Sequence, residues 1–253
     1  MGIAVPQKHV FEAVLRAARR LPGYPKLRVL DLSAGRGEIA AALAGDGCDV
    51  RGTHFRADDY KLAEEPPSPG ISIDPDVDLT RPLPYGSAAF DLVILCEVAE
   101  HLPTYIPVIA EIGRVLAPSG HLILSTPNVA RLHSRWHFFW TGTHKLIRRR
   151  VGWDLTPDDL YAYHITPVDF PLLHTLLRQA GLSVERLEVT RFKWKHAWLF
   201  LLYPFIWLST RLETRRHRSG SGHAAGEEDL FRWMTRPAML GSEQLLLTAR
   251  KAT

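Results

Sequence analysis

The sequence predicts a doubly wound α/β fold: a seven-stranded, mostly parallel sheet with helices on both faces and an insertion before the last strand. Three observations predict it. Short apolar runs alternate with amphipathic helical stretches as far as residue 130, joined mostly by short loops. The run FDLVILC at 90–96 is apolar at nearly every position, as a parallel strand covered on both faces requires. A glycine-bearing turn, residues 33–37, links the first strand to a helix, where ligands bind in such sheets.

The elements follow in order. Residues 7–20 put Val10, Phe11, Val14, Leu15 and Ala18 on one helical face. LPGYPK is a loop, and LRVLDL (27–32) is the first buried strand. EIAAALAGDG follows the turn as a helix stopped by Gly45 and Gly47. CDVRGTHF is the second strand, residues 57–70 a polar loop, ISI the third strand and 90–96 the fourth. Residues 103–116 form a helix, PSG turns, and HLILSTP is the fifth strand. Residues 131–165 read as an irregular substrate-side segment. Residues 169–182 form an amphipathic helix ending at Gly181, and SVERLEVTRF alternates as the sixth strand. Residues 191–240 read as an apolar and basic insertion, and SEQLLLTARK (242–251) as the seventh strand. The chain, 1–253, reads as one domain, with 218–226 (RSGSGHAAG) its one linker-like stretch.

Composition sets bounds. Hydrophobic residues at 46% and charged residues at 23% exclude a wholly disordered chain and a polytopic membrane protein. Two cysteines, Cys48 and Cys96, cannot build a disulfide framework or a four-thiolate zinc site, so a reducing, cytoplasmic setting is expected. The start, MGIAVPQKHV, lacks the apolar run of a secretory signal, and Pro6 breaks the myristoylation pattern. The net charge of +4 is unevenly placed. Residues 131–150 hold six Lys or Arg and no acid, and residues 189–218 hold seven and one acid, Glu213. Both stretches are also rich in Trp, Phe or Tyr, a combination that suits a membrane interface or a nucleic acid.

The turn reads Asp31-Leu-Ser-Ala-Gly35-Arg-Gly37. Glycines there let the backbone approach a ligand, and the helix start offers free N–H groups. Gly35-x-Gly37-x-x-Ala40 also fits a relaxed dinucleotide fingerprint. Asp31 argues against that ligand, because a carboxylate at the strand end repels a pyrophosphate and attracts a cationic sulfonium. After the third strand, Asp78 and the Leu79 backbone can accept an adenine amino group. The fourth strand runs directly into Glu97-Val-Ala-Glu100-His101.

With these in place, DLSAGRGEIAAAL resembles the first motif of the class I S-adenosylmethionine (SAM) dependent methyltransferases. SAAFDLVILCEVAEHL resembles their fourth-strand motif, and RVLAPSGHLILSTPN their fifth-strand motif. The likeness spans about two-thirds of the chain, residues 25–190 plus the last strand, and is strongest to the small-molecule branch that includes the ubiquinone-biosynthesis O-methyltransferases. It implies a Rossmann-like sheet and SAM as cofactor. It implies cofactor contacts at Asp31, Ser33, Ala34, Gly35, Gly37, His54, Phe55, Asp78, Leu79, Cys96 and Glu97, and catalytic roles for Glu100 and His101. Ser33 departs from the family's first glycine. His54 stands where the family has an acid that holds the ribose, and Asp58 or Asp59 is a substitute. Three roles stay open for Glu97, Glu100 and His101: a wall between cofactor and substrate, His101 as general base, or a donor set for a divalent cation. The last is implied by the ubiquinone-pathway resemblance, and no metal ligand is assigned. His133, His137, His144, Tyr161 and His164 are further candidate bases.

Residues 197–210, AWLFLLYPFIWLST, would span roughly 21 Å as a helix, short of the ~30 Å hydrocarbon layer. Pro204 is expected to kink it. Ten large apolar residues lie between Trp198 and Leu208, and burying half of them is worth about 10 kcal/mol at roughly 2 kcal/mol each. Lys193 and Lys195 precede the run; Arg211, Arg215, Arg216 and Arg218 follow it. Residues 193–218 are therefore expected to meet a membrane surface or a lipid-like acceptor, with a lid or core packing, or a subunit contact, as alternatives. The expected function is methyl transfer to a hydroxyl of a small or lipid-linked molecule. A nucleic-acid partner is not expected, because Cys96-Glu97-Val98-Ala99 replaces the Asn/Asp-Pro-Pro-aromatic tetrapeptide of base methylases. The alternatives are an NAD(P)-dependent oxidoreductase and a non-catalytic SAM-binding module.

Overall fold

A computed structural model describes residues 7–55, 71–144, 163–218 and 224–253. Seven strands form one sheet in the order β3-β2-β1-β4-β5-β7-β6. They are β1 (Arg28–Leu32), β2 (Asp49–Thr53), β3 (Ile71–Asp74), β4 (Phe90–Cys96), β5 (Leu116–Pro127), β6 (Leu182–Glu188) and β7 (Gln244–Lys251). β1 to β5 pair in parallel, and β7 runs antiparallel between β5 and β6. The seven expected strands are all present.

Helices cover both faces because the central strands β1, β4 and β5 are buried on both sides. On one face α1 (Lys8–Ala18) and α2 (Glu38–Asp46) bury Val10, Val14, Ile39 and Leu43 against Val29, Leu92, Ile94 and Ile123. On the other, α3 (Ile106–Val115) and α5 (Phe170–Gln179) bury Ile109, Ile112, Phe170 and Leu173 against Leu30, Val93 and Leu122. Asp169 caps α5 by accepting from the Leu172 N–H at 3.0 Å. Gly47, at φ 109, ends α2 in the left-handed conformation that glycine adopts without strain.

The strand order reverses between the parallel neighbours β1 and β4: β2 and β3 lie on one side of β1, β4 and β5 on the other. The carboxyl ends of these two neighbours define the crevice where ligands bind in such sheets. Asp31 pairs with Ile94 and Leu32 with Leu95, so the glycine turn and the Glu97–His101 segment leave the sheet side by side.

Four expectations need correction. The segment 131–165 is not irregular throughout, since α4 (Leu132–Thr141) is helical and ends at Gly142, φ 65. Its aromatic and histidine side chains hide the helical period, and Leu132 packs under Leu199 and Leu240. Residues 145–162 lie outside the described residues. The fifth strand begins at Leu116 rather than His121, with a register shift between Phe90 and Leu92 accommodating the earlier start. Pro204 does not kink a helix. Residues Trp194–Leu202 form a 3-10 helix, and α6 (Tyr203–Arg218) starts with Pro204 in its first turn, where no N–H partner is lost. The linker-like stretch is partly helical, since α7 (Ala224–Met234) begins inside it, while 219–223 lie outside the described residues. The short α8 (Pro237–Gly241) leads into β7.

Candidate active site

The turn after β1 holds three residues at positive φ: Ser33 at 57, Gly35 at 58 and Gly37 at 76. Ser33, in the place of the family's first glycine, keeps that backbone shape despite its side chain. Its N–H donates to Thr53 Oγ1 at 2.9 Å, and the next N–H, of Ala34, donates to the Thr53 carbonyl at 2.9 Å. Gly52 on β2 makes room, because a Cβ there would sit 3.2 Å from the Ala34 Cβ. A Cβ on Gly37 would meet nothing within 4 Å. The space over the turn is an open cradle.

Asp31 lies beneath it, 2% exposed. Burial pushes its carboxyl up to about 7, opposed by the Ala40 N–H. Its Oδ2 makes no hydrogen bond among the described residues. A buried acceptor with an unfilled oxygen suits a cationic ligand and disfavours a pyrophosphate. The donor set and the open cradle therefore fit SAM.

His54 is buried, and its Nε2 lies 2.9 Å from the Gly35 carbonyl. Burial holds the imidazole below its ordinary value, against the pull of that carbonyl, so the neutral ring donates to the turn. His54 thus braces the loop it was expected to face. Phe55 beside it is exposed. The Val77 N–H donates to the His54 carbonyl at 2.8 Å and brings the Asp78 segment to the end of β2. Asp78 Oδ1 accepts from the Thr80 N–H at 2.9 Å and the Thr80 hydroxyl at 2.7 Å. The Leu79 side chain is buried in the core. Asp58 and Asp59 lie outside the described residues.

At the end of β4 the backbone turns sharply, with Glu97 at φ 55. A non-glycine residue held there is strained, and such strain gathers at functional sites. Two residues that sequence reasoning missed hold Glu97: Ser125 Oγ donates to Oε1 at 2.9 Å and Gln244 Nε2 to Oε2 at 3.0 Å. Ser125 also lies 3.2 Å from the Cys96 sulfur, whose thiol burial pushes well up.

Glu100 is 1% exposed. Burial, then the charge of Glu97, pushes its carboxyl well above the usual range. Thr126 Oγ1 donates to Oε2 at 2.9 Å, while Oε1 makes no hydrogen bond among the described residues. The Glu100 carbonyl accepts from the N–H groups of Ile165 and Thr166 at 2.9 and 3.0 Å, which folds residues 163–166 back over the site. His101 Nδ1 consequently sits 3.0 Å from the Tyr163 carbonyl, and His164 stands edge-on to His101 at 4.8 Å. Ligating atoms of Glu100, His101 and His164 all lie within 4.8 Å of one another.

Of the other candidate bases among the described residues, only His164 joins this cluster. His133 stacks on His196 at 3.7 Å, His137 Nδ1 bonds the Thr143 carbonyl at 2.9 Å, and His144 stacks on Phe138. Tyr161 lies outside the described residues. No local signal in the sequence marks Ser125, Thr126, Tyr163 or Gln244, which reach the site only through folding.

An open sheet with a glycine turn after β1, a buried acid beneath it and an acid–histidine cluster after β4 is the layout of a methyltransferase domain, and a family model for that domain matches residues 7–187. The chain belongs to the methyltransferase-domain family. It is 30% identical over 166 residues to the ubiquinone biosynthesis O-methyltransferase of Thiobacillus denitrificans, covering 63% of this chain and 66% of that one. It is 27% identical over 169 residues to the enzyme of that name from Cereibacter sphaeroides, covering 62% and 60%. The chain thus matches about 60–66% of the length of these curated relatives. In three dimensions it resembles the S-adenosylmethionine dependent methyltransferase from Mesorhizobium loti, with a TM-score of 0.53 at 19% identity over 96% of this chain and 98% of that one.

Proposed function

We propose that the protein is a SAM-dependent methyltransferase that methylates a hydroxyl of a small or lipid-linked acceptor. The observation that carries this reading is the pairing of the Asp31–Gly37 cradle with the Glu100–His101–His164 cluster across the β1/β4 crevice. Bound SAM supplies a methyl group already activated on a sulfonium, so the protein's task is orientation, water exclusion and removal of one proton.

Asp31 faces the cation, and Ser33, Ala34, Gly35 and Gly37 shape the backbone around it. Asp78, the Leu79 backbone and Phe55 lie on the adenine side. Cys96 and Glu97 form the wall toward the acceptor. The Tyr163 carbonyl fixes the proton of His101 on Nδ1, which directs Nε2 to take the acceptor's hydroxyl proton. Glu100 supports that turn from below through Thr126 and the 163–166 backbone. The relatives' names support oxygen as the methylated atom.

A second reading rests on one observation, the convergence of Glu100, His101 and His164. These residues would hold a divalent cation that binds and polarises the acceptor oxygen.

The insertion supports a membrane or lipid-like partner. Trp194, Leu201 and Phe205 are 81%, 77% and 71% exposed, and the α4 residues Phe139 and Trp140 are 74% and 65% exposed. Trp136 meets Trp198 at 5.4 Å, which joins the two segments into one aromatic surface. Among the described residues no helix is long and apolar enough to cross a membrane. The surface therefore fits a peripheral contact.

The test is turnover on a panel of catechols and phenols. His101→Ala should lower turnover roughly 10²–10⁴-fold with SAM affinity unchanged. If a cation is used, a chelator should abolish wild-type turnover and Mg²⁺ or Zn²⁺ restore it. Full turnover by His101→Ala in chelator would remove both roles of His101, general base and cation ligand, and leave Glu97, Glu100 and His101 as a wall between cofactor and acceptor.

A further inference from the structure

Beside the aromatic surface lies a narrow basic cleft. Arg131 and Arg191 each approach the Glu243 carboxylate at 3.9 Å, and Lys193 donates a short hydrogen bond to it. Three cations share one acid that is 5% exposed, and Arg131 is itself 8% exposed. The stacked rings of His133 and His196 line the same cleft. Burial would raise the Glu243 carboxyl, yet the Lys193 hydrogen bond and the charges of Lys193, Arg131 and Arg191 outweigh it and hold it below its ordinary value. Burial, with the charges of Arg191 and Lys193 acting in the same direction, holds the nearby His9 imidazole below its ordinary value, although Glu243 pulls the other way. Three cations around one carboxylate leave the cleft with a net positive charge.

The rest of the lining is apolar. Leu132, Phe200 and Leu240 belong to the small cluster that also supports the exposed aromatic surface. Gly241 lets Phe192 and Phe200 close in, since a Cβ there would sit 2.8 Å from Phe192 and 3.2 Å from Phe200. The cleft is also tied to the reaction centre. The Asn128 N–H donates to the Glu243 carbonyl, and the next residue, Gln244, donates to Glu97.

We propose that this cleft binds the phosphate group of an amphiphilic molecule, with Arg131, Arg191 and Lys193 on the anionic oxygens and the adjoining aromatic surface on the hydrocarbon. Guanidinium forks suit a phosphate in two-point contact, and the ammonium adds a point charge. Glu243 holds the three cations together and competes with the ligand for them. The proposal deepens the acceptor reading above and rests on it only for the link to methyl transfer.

The test is calorimetric titration of the whole chain with two probes, inorganic phosphate and dihexanoyl phosphatidic acid. SAM is titrated in parallel. Both probes should bind at low salt and weaken as salt rises. Arg191→Ala, at an exposed position, should weaken both about tenfold, the scale of one charge-assisted contact. Glu243→Gln should have the opposite sign and tighten both, because it removes the competing carboxylate. SAM affinity should stay the same in both variants. The lipid probe should bind more tightly than inorganic phosphate, because its hydrocarbon reaches the aromatic surface, and equal binding would overturn the amphiphilic ligand. The proposal is overturned if neither probe binds the wild type, if Arg191→Ala binds as well as the wild type, or if Glu243→Gln does not bind more tightly. Absent phosphate binding with intact SAM binding strikes this proposal alone, whereas absent SAM binding strikes the methyltransferase reading.

Discussion

Asp31 is the residue whose chemistry follows most directly from its surroundings. It ends a buried strand, so its carboxyl is driven up to about 7 from 3.8. The folded, ligand-free state keeps the proton over a range in which the unfolded chain has lost it. Its contribution to stability therefore falls as pH rises from about 4 to about 7. A cationic ligand reverses the preference and favours the carboxylate. Apparent SAM affinity should rise about tenfold between pH 6 and pH 8, following the ionised fraction of a group titrating near 7. Calorimetry across that range checks it, and Asp31→Asn should bind more weakly with a flattened profile. Asp31, Gly35, Gly37, Glu97, Glu100 and His101 were legible in the sequence because each lies within a few residues of a strand end. His54 was legible in position but not in direction, since only the folded turn shows its ring donating to Gly35. His164 stood only as one of several scattered histidines until the Glu100 carbonyl drew residues 163–166 over the site.

At the scale of elements, the central strands were readable from apolar runs, the pattern that burial on two faces requires, and β6 from the alternation of a half-buried strand. Helix α4 was not, because its aromatic residues point both to solvent and to the insertion rather than to one buried stripe. The insertion was readable in composition but not in conformation. Its structure sorts the apolar run into two sets. Leu199 is fully buried, and Leu202 and Ile206 are half-buried against the Leu132–Leu240 cluster. Leu201, Phe205 and Leu208 are exposed. Replacing these three by Ser should leave the fold and SAM binding intact while releasing the protein from anionic liposomes in co-sedimentation. Wild-type binding should fall as salt rises, because Lys195 and Arg215 act through a screened field. Loss of the fold in this variant would make the segment core. Failure of the wild type to bind liposomes would leave a lid or subunit contact.

For the whole molecule, one sheet places two locally encoded segments in register, so a cofactor turn and a reactive cluster that lie about sixty residues apart face one crevice. The same sheet sets Glu243 of the cation cleft just before β7, beside Asn128 just after β5. The central claim is that the Asp31–Gly37 turn holds SAM rather than a dinucleotide. The most direct measurement is equilibrium titration of the wild type and Gly37→Val with SAM and with NADH. At φ 76, with open space over the turn, a valine there strains the backbone and fills the cradle. SAM should bind the wild type, NADH should not, and Gly37→Val should abolish SAM binding. Undiminished SAM binding by Gly37→Val, or NADH binding by the wild type, would contradict that claim.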